Sequence, residues 1–222
     1  EVYGLGLEEM FDVFPSVDGL IIRIGEAGAV YNAKDWDYYS TLSVKTAQTA
    51  QAMLHEFLKV AEKHDKRILF RSWSVGAGEI GSMHTNPQTY SELMSNLESP
   101  HLTVSTKYSM GDFFSYFPFN PTLKAGNQKR IIEFQARREF EGFNIFPNYV
   151  GPLYQSALLD LRSHNPKIEG IWSWSQRGGP LRAGPLSLYP FHGFWLFTDA
   201  NVYATARLAW NPETDLNVLT QT

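Results

Sequence analysis

Gly19–Glu26 reads GLIIRIGE, and Arg67–Ser74 reads RILFRSWS. Each is a short, nearly continuous apolar run interrupted by one arginine, Arg23 or Arg71. Runs of this length and β-branched content predict strands covered on both faces, the pattern of a parallel sheet. Three more segments read the same way: His101–Ser109 (HLTVSTKYS), Lys129–Ala136 (KRIIEFQA) and Lys167–Ser175 (KIEGIWSWS). All are bounded by Gly, Pro, Asn or Ser.

Between the strands the apolar period lengthens. Thr41–Lys63 carries Val44, Ala47, Ala50, Met53, Leu54, Phe57 and Leu58 at near-helical spacing. Thr89–Leu97 predicts a shorter helix after Pro87, and Leu153–Leu161 another after Gly151–Pro152. Ala200–Trp210 predicts a fourth, closed by Asn211–Pro212, and Leu7–Phe14 a weaker one before the first strand. Alternating strands and helices define an α/β chain with parallel β-α units. A doubly wound sheet and a (β/α)8 barrel both satisfy that order. No GxGxxG or P-loop is present to favour a nucleotide-binding sheet.

Composition narrows the function classes. At 43% hydrophobic and 19% charged, the 222 residues are those of a folded chain. Nineteen Lys and Arg face 23 Asp and Glu, a net charge of -4, which argues against a general nucleic-acid or acidic-membrane binder. The absence of cysteine excludes disulfides, thiolate metal sites and a cysteine nucleophile. It leaves cytoplasmic and secreted settings both open. No apolar run approaches the ~20 residues that span a bilayer. No signal peptide is apparent, and an opening on Glu1 rather than Met raises the expectation of an upstream portion.

The polar residues tilt the choice toward the barrel, whose active sites sit at the C-terminal ends of the strands. Glu26 ends the first strand, Arg71 lies near the end of the second, and Lys107 near the end of the third with Asp112 beyond it. Glu133 and Gln135 lie within the fourth, Glu139 just after it, and Trp172 and Trp174 in the fifth. Five strands do not close a barrel of eight, so the expectation is a partial barrel or an open sheet. Charges inside apolar strands are costly unless paired or functional. Ion pairs packing the strand ends are the plain explanation. Three cations on successive strand ends, Arg23, Arg71 and Lys107, suit a carboxylate or phosphate on a ligand better. Two carboxylates flanking a sugar ring are the minimum for glycoside hydrolysis. Aromatics follow the third strand (Phe113, Phe114, Tyr116, Phe117, Phe119) and the fifth (Tyr189, Phe191, Phe194, Trp195, Phe197), and such rings stack on sugars. The six histidines show no metal spacing; His84 and His192 are weak ligand candidates, and no metal or organic cofactor is expected. No G-x-S-x-G elbow supports a serine hydrolase.

Several of these motifs resemble the catalytic barrel of the glycoside hydrolase family 67 α-glucuronidases, from its fourth strand to its end. FPSVDGLIIRIGEAG resembles the strand bearing that family's general acid, and ILFRSWS its next strand with an arginine. VSTKYSMGDF is similar to its lysine-to-aspartate segment, and IIEFQARREFEG to its EFQ-x-x-x-E-[YF]-x-G segment. VGPLYQSAL and DANVYATARLAWNPETD are similar to two later helices. The resemblance implies a partial (β/α)8 TIM barrel, strands four to eight, with residues 1–222 as the C-terminal part of the catalytic domain. It implies Glu26 as general acid, and Asp112 and Glu139 as the pair that positions and deprotonates water. Arg23, Arg71 and Lys107 would hold a uronic carboxylate, leaving Glu133 to position the substrate. Trp172 and Trp174 are substrate-binding candidates as aromatics that stack on sugars. The implied activity is inverting, cofactor-free release of glucuronic or 4-O-methylglucuronic acid from xylan-type oligosaccharides. The chain departs from the family in its shorter acid segment, in Arg23 where the family has lysine, and in the run SWSQRGGPLRAGPLSLYPF. The missing N-terminal half of the barrel, or a second copy, is an expected partner. Two other expectations stand beside this one: a retaining glycosidase with Glu26 as acid and Glu133 as nucleophile, and a non-catalytic carbohydrate-binding fragment. An unrelated open α/β enzyme ranks last.

Overall fold

The computed structural model describes residues 2–25, 43–113, 119–138, 148–174 and 196–222. Among them are five strands: β1 (Gly19–Arg23), β2 (Arg67–Arg71), β3 (Leu102–Lys107), β4 (Lys129–Gln135) and β5 (Ile168–Trp174). The helices are α1 (Val2–Val13), α2 (Ala47–Lys63), α3 (Pro87–Met94), α4 (Gly151–His164), α5 (Leu196–Trp210) and α6 (Leu216–Gln221). The strands form one parallel sheet in the order β1-β2-β3-β4-β5, flanked by helices. This is the α/β class that the alternating pattern predicts. The chain divides into two compact units: residues 1–107 with 121–131, and residues 108–120 with 132–222.

In the first unit, the register pairs Gly19 with Arg67 and Arg23 with Arg71, then Ile68 with Leu102 and Arg71 with Ser105. Successive side chains alternate between faces. Ile68, Phe70, Leu102 and Val104 therefore share a face, and all are at most 1% exposed. They pack with Leu7 and Phe11 of α1, with Ala50, Leu54, Phe57, Leu58 and Ala61 of α2, and with Tyr90 and Leu93 of α3. Burying each large side chain contributes about 2 kcal/mol. The opposite face carries Ile21, Arg23, Leu69, Arg71, Thr103, Ser105 and Lys107. Ile21 there is 56% exposed and Arg23 is exposed, so β1 is not covered on both faces as its apolar run suggests. The reason is that the apolar core of this unit gathers on the helical side alone.

Helix ends explain the shifted boundaries. Thr46 caps α2 in a reciprocal capping box with Thr49, so the helix begins at Ala47; residues 41 and 42 lie outside the described residues. Asn86 accepts from the N–H groups of Gln88 and Thr89, and Pro87 takes the first helical position, so α3 starts before Thr89. At the other end of α3, the Gln51 amide of α2 donates to the carbonyls of Glu92, Leu93 and Ser95. Two short 3-10 turns (Gly78–Ser82, Pro121–Lys124) and α6 add to the elements read from sequence.

Among the described residues of the first unit, Arg130 is the largest fully buried side chain. Its Nη1 donates to the Thr122 carbonyl (2.8 Å) and Thr106 Oγ1 (3.3 Å), and its Nη2 to Tyr90 Oη (2.6 Å) and the Ala125 carbonyl (2.7 Å). Only Nε lacks a partner. Burial pulls the guanidinium below its ordinary range, opposed by its attraction to the Tyr90 phenol. Burial likewise pushes the Tyr90 phenol up, with Arg130 pulling it back.

In the second unit, Phe134 of β4 stacks on Tyr154 of α4 at 3.9 Å, and Tyr108 packs against both. The chain leaves the sheet at Tyr108, whose carbonyl accepts from Asn120 N–H while Ser109 bridges Phe119. The Tyr154 hydroxyl then serves Gln135 instead, donating to its carbonyl (2.8 Å) and accepting from its N–H (3.2 Å). Asn201 of α5, fully buried, accepts from Val150 N–H and donates to the carbonyls of Ala136 and Asn148. The helix predicted over Ala200–Trp210 begins at Leu196, which sets Asn201 within its first turns. Gln155 of α4 holds the chain after α5 through the carbonyls of Pro212 and Thr214.

Two outcomes follow from the buried polar groups. Arg130→Ala strips several buried acceptors of a donor, at about 1–3 kcal/mol each, so urea denaturation should show a loss of about 3 kcal/mol or more. Arg130→Lys should recover little of it, because an ammonium cannot span the same fork. Alkaline titration should be cooperative. A phenol whose folded pKa is raised contributes stability that is complete below the ordinary tyrosine value of about 10 and is lost as pH rises through the folded value. Tyrosinate absorbance from Tyr90 should therefore appear together with unfolding measured by circular dichroism.

Candidate functional site

At the C-terminal ends of β1, β2 and β3 the first unit brings three cations to one face. Arg23 and Arg71 are register partners on adjacent strands, which run ~4.8 Å apart. Arg71 is in turn beside Ser105, and Lys107 follows two residues later with the same orientation. Arg23 is exposed, Arg71 half-buried and Lys107 buried. Like charges on directly opposed positions oppose folding unless other groups compensate them.

The ladder continues past β2. Ser72 N–H donates to the Ser105 carbonyl, the bond that in a parallel sheet aligns Ser72 with Thr106 and Trp73 with Lys107. The Lys107 ammonium lies 4.1 Å from the centroid of the Trp73 ring. The His84 ring meets Trp73 edge-on at 4.6 Å, and His84 Nδ1 is 3.5 Å from Ser74 Oγ. The chain leaving β1 crosses this end of β2 closely. A Cβ on Gly25 would lie 2.8 Å from Ser74 Cα and the Trp73 carbonyl oxygen, so only glycine passes there without displacement.

The second unit carries its own polar group. Glu133 is fully buried on β4 and Gln135 nearly so. Both point away from the face on which Phe134 meets Tyr154. Ala136 N–H donates to the Trp174 carbonyl, which by the same ladder rule sets Gln135 beside Trp174 and Glu133 beside Trp172. The two indoles lie 6.3 Å apart at 38°, with Trp172 half-buried and Trp174 38% exposed. A carboxylate and an amide among aromatic faces can orient a polar ligand by hydrogen bonds while stacking on its apolar side. Asp112 is exposed in the segment after β3, next to the Ser109–Gly111 turn.

Glu26 and Glu139 lie outside the described residues, as do Phe114, Tyr116, Phe117, Tyr189, Phe191, His192, Phe194, Trp195 and the run following Trp174. Among the described residues no group of three or more His, Asp or Glu could hold a metal ion, and no helix is long and apolar enough to cross a membrane. Trp73 was not singled out by sequence. It stands two residues after Arg71, on the same alternating face, a position that a packing aromatic would share. His84, read as a weak ligand candidate, packs against Trp73.

No protein-family model matches this chain, and no curated protein matches it.

The close crossing at Gly25 gives a local prediction. Gly25→Ala must displace backbone at Trp73 or Ser74, so it should lower stability by about 1–3 kcal/mol, the scale of overpacking. Differential scanning calorimetry reads this directly.

Proposed function

We propose that this chain is part of a (β/α)8 glycoside hydrolase that grips a uronic acid and cleaves its glycosidic bond. The observation that carries the reading is the register pairing of Arg23 with Arg71, with Lys107 on the same face at the end of the next strand. Arginine side chains match carboxylate geometry with paired donors, and a lysine adds a point charge. The carboxylate of glucuronic or 4-O-methylglucuronic acid is the ligand group this arrangement suits. The indoles of Trp172 and Trp174 beside Glu133 supply stacking and a hydrogen-bond acceptor for a sugar ring.

The chemistry follows the roles implied by the family resemblance. Glu26 protonates the leaving oxygen, while Asp112 and Glu139 hold and deprotonate water, which attacks with inversion. Glu133 positions the substrate. No metal or organic cofactor enters the reaction. The substrate is a xylan-type oligosaccharide carrying the uronic acid. A further chain supplying the remaining strands, or a second copy, pairs with the edge strand β1.

The test is incubation with aldouronic oligosaccharides, with release of uronic acid followed by NMR. Glu26→Gln should cost at least about 10²-fold in kcat, and Arg71→Met about 10–100-fold in kcat/KM, the worth of a hydrogen bond to a charged group. The anomer released first should be inverted; a retained anomer would assign Glu133 as nucleophile. Binding of the oligosaccharide without turnover, also after a chain supplying the remaining strands is added, would assign a non-catalytic carbohydrate-binding role. Neither binding nor turnover would end the uronate reading.

A further inference from the structure

We propose that Trp73 is a positioning residue that fixes where the Lys107 ammonium is offered to an acidic ligand; this rests on the uronate reading above. A lysine ends in a compact charge on a flexible four-carbon stem, so its location is poorly defined unless something holds it. Here the ammonium lies 4.1 Å from the Trp73 ring centroid, well inside the range of cation–π attraction. The two residues are cross-strand neighbours at the end of the β2–β3 ladder, a placement set by the Ser72 N–H to Ser105 carbonyl bond. Trp73 is 8% exposed and Lys107 7%, so the ammonium has lost most of its water and its charge is poorly screened.

The indole is itself held. His84 abuts it at an interplanar angle of 64°. Ser74, next in the chain and fully buried, approaches His84 Nδ1 and also donates to the Gly81 carbonyl. Packing of the chain at Gly25 against the Trp73 carbonyl closes the remaining side of the backbone. Trp73 thus gives the Lys107 ammonium a fixed ring face at the end of the ladder, on the side of the sheet that also carries Arg71.

The test uses the intact chain and two probes, D-glucuronate and D-glucose. Their affinities are measured by calorimetry for the parent chain, Trp73→Phe and Trp73→Leu. Acetylation of Lys107 by acetic anhydride is timed by mass spectrometry on the same proteins. Trp73→Leu should weaken glucuronate about tenfold and Trp73→Phe much less, in line with cation–π attraction to a desolvated site. Glucose affinity should stay the same in both, whereas a purely structural role would lower both sugars together. Lys107 should acetylate faster in Trp73→Leu only. Unchanged glucuronate affinity in Trp73→Leu overturns the inference, whatever the acetylation rate. Equal affinity of the parent chain for both sugars overturns the uronate reading instead. Acetylation then decides the ordering role alone, faster in Trp73→Leu supporting it and unchanged rejecting it. Trp73→Met, unbranched and without a ring face, replaces the leucine variant if that chain fails to fold.

Discussion

The alternation of side chains along β1, β2 and β3 is the constraint from which the rest follows. Ile68, Phe70, Leu102 and Val104 must all reach the helical side to be buried. That single requirement sends Arg23, Arg71, Ser105 and Lys107 to the other side. A slip of one residue would place the arginines among α1, α2 and α3 and leave the apolar residues in water. Core formation and the gathering of charge are thus one event. The polar side chains need no separate device to bring them together, only strands of the right phase.

Where polar groups do enter the interior, they are met by several partners each. Arg130 spans two carbonyls and two hydroxyls, and Asn201 uses both ends of its amide on three backbone groups. Each such residue joins segments distant in sequence. Arg130 ties β4 to α3 and to the turn at Pro121–Lys124, and Asn201 ties α5 to the end of β4 and to the entry of α4. A buried polar group of this kind costs desolvation, and it gives back a unique arrangement, since few alternative packings satisfy every bond.

The strands were legible because each pairs a short apolar run with clear boundary residues, and all five lie within the predicted spans. Their phase was less so. The near-continuous GLIIR gave no sign that Ile21 would be exposed, because composition reports hydrophobicity and not which side a helix covers. Helix starts rested on capping chemistry that the apolar period does not report: it places the start of α3 two residues late at Thr89, and that of α2 at Thr41, ahead of the Thr46 cap. The short α6 carries too few apolar residues for a period to emerge. Within the candidate site, the cations on strand ends could be found from sequence, because charge in an apolar run stands out. Trp73 could not be told apart from a packing aromatic without the cross-strand pairing that sets it under Lys107. Glu26 and Glu139, the two carboxylates that the resemblance makes most important, lie outside the described residues.

Gln135 shows how a sheet can stop without an unpaired strand. Where the chain departs at Tyr108 and turns to meet Phe119 and Asn120, the phenol of Tyr154 takes over both main-chain groups of Gln135. A side chain from a helix stands in for one residue of a neighbouring strand. The segment after β3, which carries Asp112, is thereby released from any duty to the ladder. The main-chain hydrogen bonds of Gln135 thus do not depend on what that segment presents.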